Sequence, residues 1–343
     1  MRVKVKRNPE PTAAMPIEMK NPARLAFGTM AIGGQFADVS DDAAISTIRA
    51  AIQAGIRLFD TAPQYGCGLA EERLGRAIEG IDRSRIELST KVGKLIVPEG
   101  SGGECQRSRF FPGGRAGEMI FDYSRDGTLR AIEGSLERLG TARLDLVLIH
   151  DLIRHFHGDE GVHVRATEAM TGAIPALRDL QRQGVVGKIG VGLKDVDIAE
   201  RFVREAQVEV ILVPGRMTLL DQSALTSGLL NACRASGAAY IAAAPFDSGI
   251  LAQGAKSEAT YAYRPASDDI RTRVAAIETA CARHGVPLAT VALQFPLRFR
   301  GVSHVLAGMR SPAEVESNVR ALNASVPDAL WRDLEAAGVP QPA

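Results

Sequence analysis

Cysteine is scarce in this chain and occurs in none of the spacings that build a site. The four cysteines, Cys67, Cys105, Cys233 and Cys281, lie far apart, and no C-x-x-C pair occurs. Neither a disulfide framework nor a zinc knuckle is therefore expected. Such cysteine usage is typical of a reducing compartment, so we expect a cytoplasmic protein.

Strong net charge and long apolar runs are missing as well. The formal charge of the 343 residues is +1, which offers no basic field for nucleic acid or anionic lipid. No stretch approaches the roughly 20 apolar residues that span a bilayer, and residues 1–22 lack the apolar run of a signal peptide. We expect a flexible tail over 1–22 and a small molecule, rather than nucleic acid or a membrane, as the partner. Oligomeric state leaves no sign in the sequence.

Segments rich in β-forming residues recur along the rest of the chain, and a helical pattern follows each of them. In residues 126–140, for example, Leu129, Ile132, Leu136 and Leu139 share one helical face. Alternating strand and helix predicts a parallel sheet, and eight repeats favour one (β/α)8 TIM barrel over 23–343 instead of a doubly wound sheet. The β-rich segments begin at residues 25, 56, 86, 144, 187, 209, 240 and 304.

Three further segments do not fit the repeating unit. Residues 92–124 and 151–171 are too long for simple turns, so we expect long functional or disordered loops at the C-terminal face of the barrel. A last helical pattern, "VPDALWRDLEAAG", has no strand after it. We expect this helix to pack on the exterior of the barrel or across its base.

Polar residues end three successive strands. Asp60 ends the second, Lys91 the third and His150 the fourth, and Tyr65 lies in the loop after Asp60. Neighbouring parallel strands are roughly 4.8 Å apart, so side chains at the same ends can meet. Each residue alone has a structural explanation, as a helix cap, a solvated strand end, a core histidine or a rim aromatic. Four groups of complementary chemistry together predict a catalytic site.

The acid strengths of these groups indicate the chemistry. A phenol with a pKa of about 10 is a poor acid or base near neutrality. We expect Lys91 to lower the pKa of Tyr65, Asp60 to hold Lys91 in place and His150 to orient the substrate oxygen. Such a proton relay suits an alcohol or carbonyl whose carbon exchanges a hydride with an organic carrier.

At these residues the sequence resembles the aldo-keto reductase superfamily. The similar segments include "FDTAPQYGCGLAEERLG" and "GMRSPAEVESNV". "STKVGKL", "FDYSRDG" and "LDQSAL" most resemble the NAD-linked subgroup of D-threo-aldose (L-fucose) 1-dehydrogenase, L-galactose dehydrogenase and pyridoxal 4-dehydrogenase. The resemblance implies a nicotinamide cofactor, with Tyr65 as general acid/base, Lys91 and Asp60 as its tuning pair and His150 as the group that binds the substrate oxygen.

The sequence departs from the family pattern where the nicotinamide is held. Gly192 and Leu193 stand where many members carry a Ser-Asn pair, and "AAAPFDSG" after the seventh strand lacks the usual stacking tyrosine. How the nicotinamide ring is held therefore stays open.

The segment after the eighth strand predicts the other end of the cofactor site. Ser311, Pro312 and Glu314 form an S-x-x-E capping box with proline at the first helical position, and helix N-termini bind phosphates. Glu314 either caps this helix or repels a ribose 2′-phosphate, which favours NAD, although Arg310 could allow NADP as well. The predicted cofactor contacts are Gly192, Gly308, Met309, Arg310, Ser311, Glu314 and Asn318.

The preference for NAD favours oxidation, because cells keep this cofactor largely oxidised. The function expected is oxidation of an aldose of the L-fucose, D-threo-aldose or L-galactose type at the anomeric carbon, giving the lactone. Pyridoxal 4-dehydrogenase and NADPH-dependent aldehyde reductase are the alternatives. The predicted substrate contacts are Phe110, Phe111, Arg115 and Met217.

Three other features of the sequence bear on alternative functions. His150, His155, His157 and His163 invite a metal-dependent barrel hydrolase, but we expect no metal, because the "HFH" motif follows the fourth strand and indicates a polar substrate lid. "GCGLAEERLG" resembles a dinucleotide-binding turn only weakly, since Glu71 replaces the third glycine. A non-catalytic, cofactor-sensing subunit also stays open.

Overall fold

A computed structural model describes residues 24–35, 38–105 and 111–342. Eight parallel strands close into a barrel, each hydrogen-bonded to its neighbours in sequence, with the first pairing with the eighth. This confirms the predicted (β/α)8 fold. The barrel strands, called first to eighth in chain order, are Leu25–Gly28, Leu58–Asp60, Glu87–Val92, Leu144–His150, Val186–Gly192, Val210–Pro214, Ala239–Ala243 and Val302–Gly308.

Helices surround the barrel and connect its strands. Several begin at a serine whose hydroxyl accepts a backbone N–H, as Ser40 and Ser124 do, and this caps the exposed donors of the first turn. The helices are Asp41–Gln53, Leu69–Ile78, Arg125–Leu139, Arg154–Thr171, Ala173–Arg182, Val196–Glu205, Ser223–Thr226, Leu229–Ser236, Ile250–Gln253, Asp268–Arg283, Leu288–Gln294, Pro312–Asn323 and Asp328–Ala336.

Side chains fill the interior of the barrel. Alternate strand residues such as Ala26, Leu148 and Leu212 form an inner apolar cluster, whereas their neighbours face the helices in a larger one. Gly190 of the fifth strand allows close packing there, since a Cβ at this position would lie 2.1 Å from the Val210 carbonyl oxygen. Because the centre is packed, a ligand site has to form at the rim.

The two long connections are more ordered than the sequence suggests. Residues 94–121 include a small antiparallel sheet formed by Lys94–Val97, Glu104–Cys105 and Glu118–Phe121. The second connection is mainly the helix Arg154–Thr171, interrupted at Gly158 with φ 71°. The expectation of a long loop over 151–171 was therefore wrong, because its polar sequence forms a surface helix over a short apolar face.

The C-terminal helix packs outside the barrel, as expected. Trp331 lies under the guanidinium of Arg298, which is 4.0 Å from the ring, and His284 contacts Asp333 at 2.8 Å. Arg298 and His284 both precede the eighth strand, so the helix lies towards the base of the barrel. The predicted tail over 1–22 falls outside the described residues. None of the helices in the described ranges is long and apolar enough to cross a membrane.

Candidate active site

Asp60 and Lys91 meet at the C-terminal rim because their strands are neighbours in the barrel. Residue 60 of the second strand pairs with residue 89 of the third. The Lys91 ammonium donates to Asp60 Oδ2 at 2.6 Å and to the Thr61 carbonyl at 2.8 Å. Ser89 donates to the other Asp60 oxygen at 2.8 Å. Both charged side chains are about 2–3% exposed, so this ion pair is fixed and shielded from water.

Tyr65 and His150 complete the group around the same point. The turn after the second strand holds Tyr65 so that the Lys91 ammonium lies 4.6 Å from the centre of its ring. The His150 ring stands edge-on to the tyrosine, with the ring centres 6.0 Å apart. All four residues that the sequence singled out at the strand ends are thus brought together.

The protonation of Tyr65 differs from the sequence prediction. Burial raises the pKa of Tyr65 well above its usual value, and the negative charges of Asp60 and Asp151 add to this increase. The prediction that Lys91 lowers the pKa of Tyr65 was wrong, because Asp60 neutralises Lys91 at 2.6 Å. Tyr65 is therefore a neutral proton donor at neutral pH.

His150 is neutral as well. Burial lowers the pKa of His150 to about 3, with Lys91 and Lys94 contributing to the decrease and Asp151 opposing it. A neutral imidazole can donate one hydrogen bond to a substrate oxygen without competing for the proton. The site therefore presents two uncharged donors beside a buried, compensated cation.

A second polar cluster next to His150 was missed by the sequence analysis. Lys94 donates to Asp151 Oδ2 at 2.7 Å and to Gln64 at 2.9 Å. The buried Tyr123 hydroxyl donates to the His150 carbonyl at 2.9 Å and contacts His157 at 3.2 Å. The proximity of Lys94 and Asp151 could have been predicted from the sequence, since Lys94 lies three residues after Lys91 and Asp151 follows His150 directly.

The segment after the eighth barrel strand has the features of an anion site. Ser311 caps the helix Pro312–Asn323 by accepting from the Glu314 N–H at 3.2 Å. The return bond of a capping box is shifted by one residue, because Glu314 accepts from the Arg310 N–H at 2.8 Å and also from its guanidinium at 3.3 Å. Gly308 is exposed, and a Cβ there would meet nothing closer than 3.8 Å. Open space and a helix N-terminus fit a dinucleotide.

The other predicted cofactor contacts differ in their burial and in the space around them. Gly192 lies beside Lys91, where a Cβ would make ordinary contacts of 3.4–3.5 Å with Leu148 and Lys91. Met309 is fully buried in the main apolar cluster, and Asn318 is 9% exposed. Any contact between Met309 and a cofactor would therefore come from its backbone.

The predicted substrate contacts are only partly near Tyr65. Phe111 is buried, with its ring centre 6.1 Å from that of Tyr65. Arg115 forms an ion pair with Glu72, and Met217 lies in the apolar core. Phe110 is outside the described residues.

An aromatic side chain also follows the seventh barrel strand, later than the family pattern would place it. A hairpin of Thr260–Tyr261 and Arg264–Pro265 has Tyr263 at its tip, in the left-handed region with φ 65°. Its ring lies 4.7 Å from the Lys194 ammonium, which belongs to the segment after the fifth strand. The hairpin therefore joins two of the loops around the rim. Tyr263 lies outside "AAAPFDSG", the segment in which the family pattern predicts a tyrosine.

The metal hypothesis finds no support in the described part of the chain, where no three His, Cys, Asp or Glu side chains are grouped as ligands. His157 instead contacts Tyr123, and His155 packs edge-on against Phe156.

The closed barrel gathers a phenol, an ammonium, a carboxylate and an imidazole at its C-terminal rim, where barrel enzymes build their active sites. The chain belongs to the aldo/keto reductase family, whose model matches residues 24–338. It is therefore an oxidoreductase of a family that uses nicotinamide cofactors, and the resemblance stated from the sequence is confirmed.

Individual relatives are similar over almost their whole length. A D-threo-aldose 1-dehydrogenase from Pseudomonas sp is 37% identical over 324 residues, covering 93% of this chain and 95% of the relative. A pyridoxal 4-dehydrogenase from Microbacterium luteolum is 35% identical over 324 residues, with coverages of 92% and 94%. The solved glycerol dehydrogenase from Gluconobacter oxydans has a TM-score of 0.71 at 22% identity, covering 92% of this chain and 90% of that one, and supports the fold alone.

Proposed function

We propose that this protein oxidises an aldose at its anomeric carbon to the lactone with NAD, using Tyr65 as general acid/base. The observation that carries the proposal is the arrangement of Tyr65 over the buried Lys91 ammonium at 4.6 Å, with a neutral His150 edge-on to its ring. The 37% identity with a D-threo-aldose 1-dehydrogenase supports the substrate class.

Each of the four residues has a separate role at the substrate oxygen. Tyr65 and His150 hold the anomeric hydroxyl between them, and the tyrosinate form of Tyr65 takes its proton as the oxygen becomes a carbonyl, which leaves Tyr65 as the neutral phenol. Lys91 stabilises the tyrosinate that acts as the base, and Asp60 keeps Lys91 charged and in place. The bound nicotinamide supplies the acceptor for the hydride from the same carbon. In the reverse direction the neutral Tyr65 returns the proton to the carbonyl oxygen.

The residues after the eighth strand fit the phosphates and adenosine of NAD. Backbone N–H groups at the start of Pro312–Asn323 and the Arg310 side chain favour an anion. Glu314 binds Arg310 through both oxygens and puts a negative charge at the helix start. A ribose 2′-phosphate would meet this charge, so NAD is preferred over NADP.

Oxidation of pyridoxal is the second candidate. It is supported by the 35% identity with a pyridoxal 4-dehydrogenase and by Phe111, whose ring lies 6.1 Å from that of Tyr65 and could stack on an aromatic substrate.

A substrate screen tests the proposal. L-fucose, L-galactose, further aldoses, pyridoxal and simple aldehydes are each assayed with NAD and NADP in both directions, following the reduced cofactor by absorbance. We expect the highest kcat/KM for an aldose with NAD. Turnover restricted to simple aldehydes with NADPH would contradict the proposal.

A further inference from the structure

Asp151 presents an unused carboxylate oxygen beside the group that binds the substrate oxygen. Its Oδ1 lies 3.6 Å from His150 Nε2, which is too long for a hydrogen bond. No other side chain in the described ranges donates to Oδ1, and the Asp151 side chain is 19% exposed to solvent. This oxygen therefore stays free beside the position that a substrate oxygen takes on His150.

The rest of Asp151 is held firmly. Lys94 donates to Oδ2 at 2.7 Å, and Lys94 is itself only 2% exposed. The same ammonium is held by Gln64 at 2.9 Å and lies 4.7 and 4.4 Å from the rings of Phe121 and Phe156. Lys94 therefore acts as a positioning residue for the carboxylate. The Asp151 backbone is in the left-handed region with φ 53°, a conformation that the surrounding structure has to impose.

The charge of Asp151 determines what it can bind. Burial acts to raise the pKa of this carboxyl, but the positive charges of protonated His150 and, above all at neutral pH, of Lys94 bring it down to about 2. An ionised carboxylate only accepts hydrogen bonds, so the partner of Oδ1 has to be a donor such as a hydroxyl group.

We infer that Asp151 accepts a hydrogen bond from the hydroxyl on the carbon next to the reacting carbon, and thereby selects α-hydroxy substrates such as aldoses. The inference rests on the proposed function and assigns a residue to its substrate class. The two oxygens of a vicinal diol lie side by side, so one can accept from His150 Nε2 while the other donates to Asp151 Oδ1, which lies 3.6 Å from that nitrogen. A substrate without the second hydroxyl would leave this carboxylate oxygen desolvated and unpaired, which disfavours its binding.

Substrate analogues test this with the wild-type protein. An aldose is compared with its 2-deoxy and 2-deoxy-2-fluoro counterparts in NAD reduction. We expect kcat/KM to fall about 10- to 100-fold for both analogues, as for loss of a hydrogen bond to a charged group. Fluorine cannot donate, so it should not restore activity. Equal kcat/KM for all three sugars would overturn the inference.

The variant Asp151→Asn tests the residue itself. Asparagine tolerates the left-handed backbone, and Lys94 should attract the amide oxygen, which turns the NH2 group towards the substrate. We expect the ratio of kcat/KM between the aldose and its 2-deoxy analogue to fall by about tenfold or more. Activity on the deoxy sugar should change much less. Asp159→Asn, which removes an exposed carboxylate from the helix after the same strand, should keep the wild-type ratio.

The outcomes separate this inference from the proposed function. An equal loss on both sugars in Asp151→Asn would make the residue structural and overturn the inference. Thermal melting checks folding, and Lys94→Met/Asp151→Asn removes the cation as well if the single variant unfolds. If no aldose is oxidised, the proposed function fails. The inference is then tested in the direction of reduction, by the ratio of kcat/KM between glyceraldehyde, which carries the second hydroxyl, and propanal, which lacks it. A preference for glyceraldehyde that Asp151→Asn abolishes supports the inference, and its absence overturns it.

Discussion

Asp60 and Lys91 form an ion pair 2.6 Å long that is almost completely buried at the mouth of the barrel. The pair fixes the ammonium beneath Tyr65, but it also compensates the charge that would otherwise favour the tyrosinate. Burial and the charge of Asp60 together raise the pKa of Tyr65, so the phenol keeps its proton at neutral pH.

The buried pair makes the two single variants costly. Removing one partner leaves an uncompensated buried charge, so we expect Lys91→Met and Asp60→Asn each to lower the free energy of unfolding by about 3–5 kcal/mol. In the double variant the free energy of unfolding should decrease by less than the sum of the decreases in the two single variants. Urea denaturation of all four proteins measures the coupling, and strictly additive losses would show that the pair contributes no net attraction.

The protonation of Tyr65 and His150 predicts the pH dependence of catalysis. Since the pKa of Tyr65 is raised, kcat/KM for oxidation should keep rising with pH beyond the ordinary range of tyrosine. The pKa of His150 is about 3, so protonation of its imidazole should not change kcat/KM near neutral pH. A pH profile of NAD reduction measures both, and a plateau reached at neutral pH would contradict the assignment for Tyr65.

His150 should also make the fold less stable in acid. Its pKa is about 6.5 in the unfolded chain and about 3 in the folded protein, so between these values only the unfolded state takes up the proton. Stability should therefore fall as the pH decreases through this window. Urea midpoints at several pH values should show a weaker decrease in His150→Gln. His155→Gln, at an exposed position, is the control that should keep the wild-type slope.

Glu314 should set the preference between the two cofactors. In Glu314→Ala the negative charge is lost and Arg310 is freed, so we expect kcat/KM with NADP to rise relative to NAD by about tenfold, the effect of one favourable charge contact. Glu316→Ala removes a carboxylate from the same helix that pairs with Arg320, and it should leave the ratio unchanged. An unaltered ratio in Glu314→Ala would remove Glu314 from the explanation.

The sequence was sufficient to predict the barrel and the meeting of Asp60, Lys91 and His150 at its rim, because both depend on local patterns. Strand and helix alternate visibly, and Asp60, Lys91 and His150 each stand where a strand ends. Parallel neighbours in a barrel then bring such residues together without further information.

Features that depend on distant contacts could not be predicted in this way. The pKa of Tyr65 follows from burial and from the carboxylates of Asp60 and Asp151, which belong to different strands. The role of Lys94 becomes visible only when the aromatic rings around it are in place. The pairing of Glu104–Cys105 with Glu118–Phe121 is likewise non-local, so a small sheet was taken for a loop.

The variant Tyr65→Phe tests the central claim most directly, by steady-state NAD reduction together with fluorescence titration of NAD binding. Loss of the hydroxyl should lower kcat about 100- to 10,000-fold, as expected for a general acid/base, while the affinity for NAD stays close to that of the wild type. Undiminished turnover in Tyr65→Phe would show that another group transfers the proton.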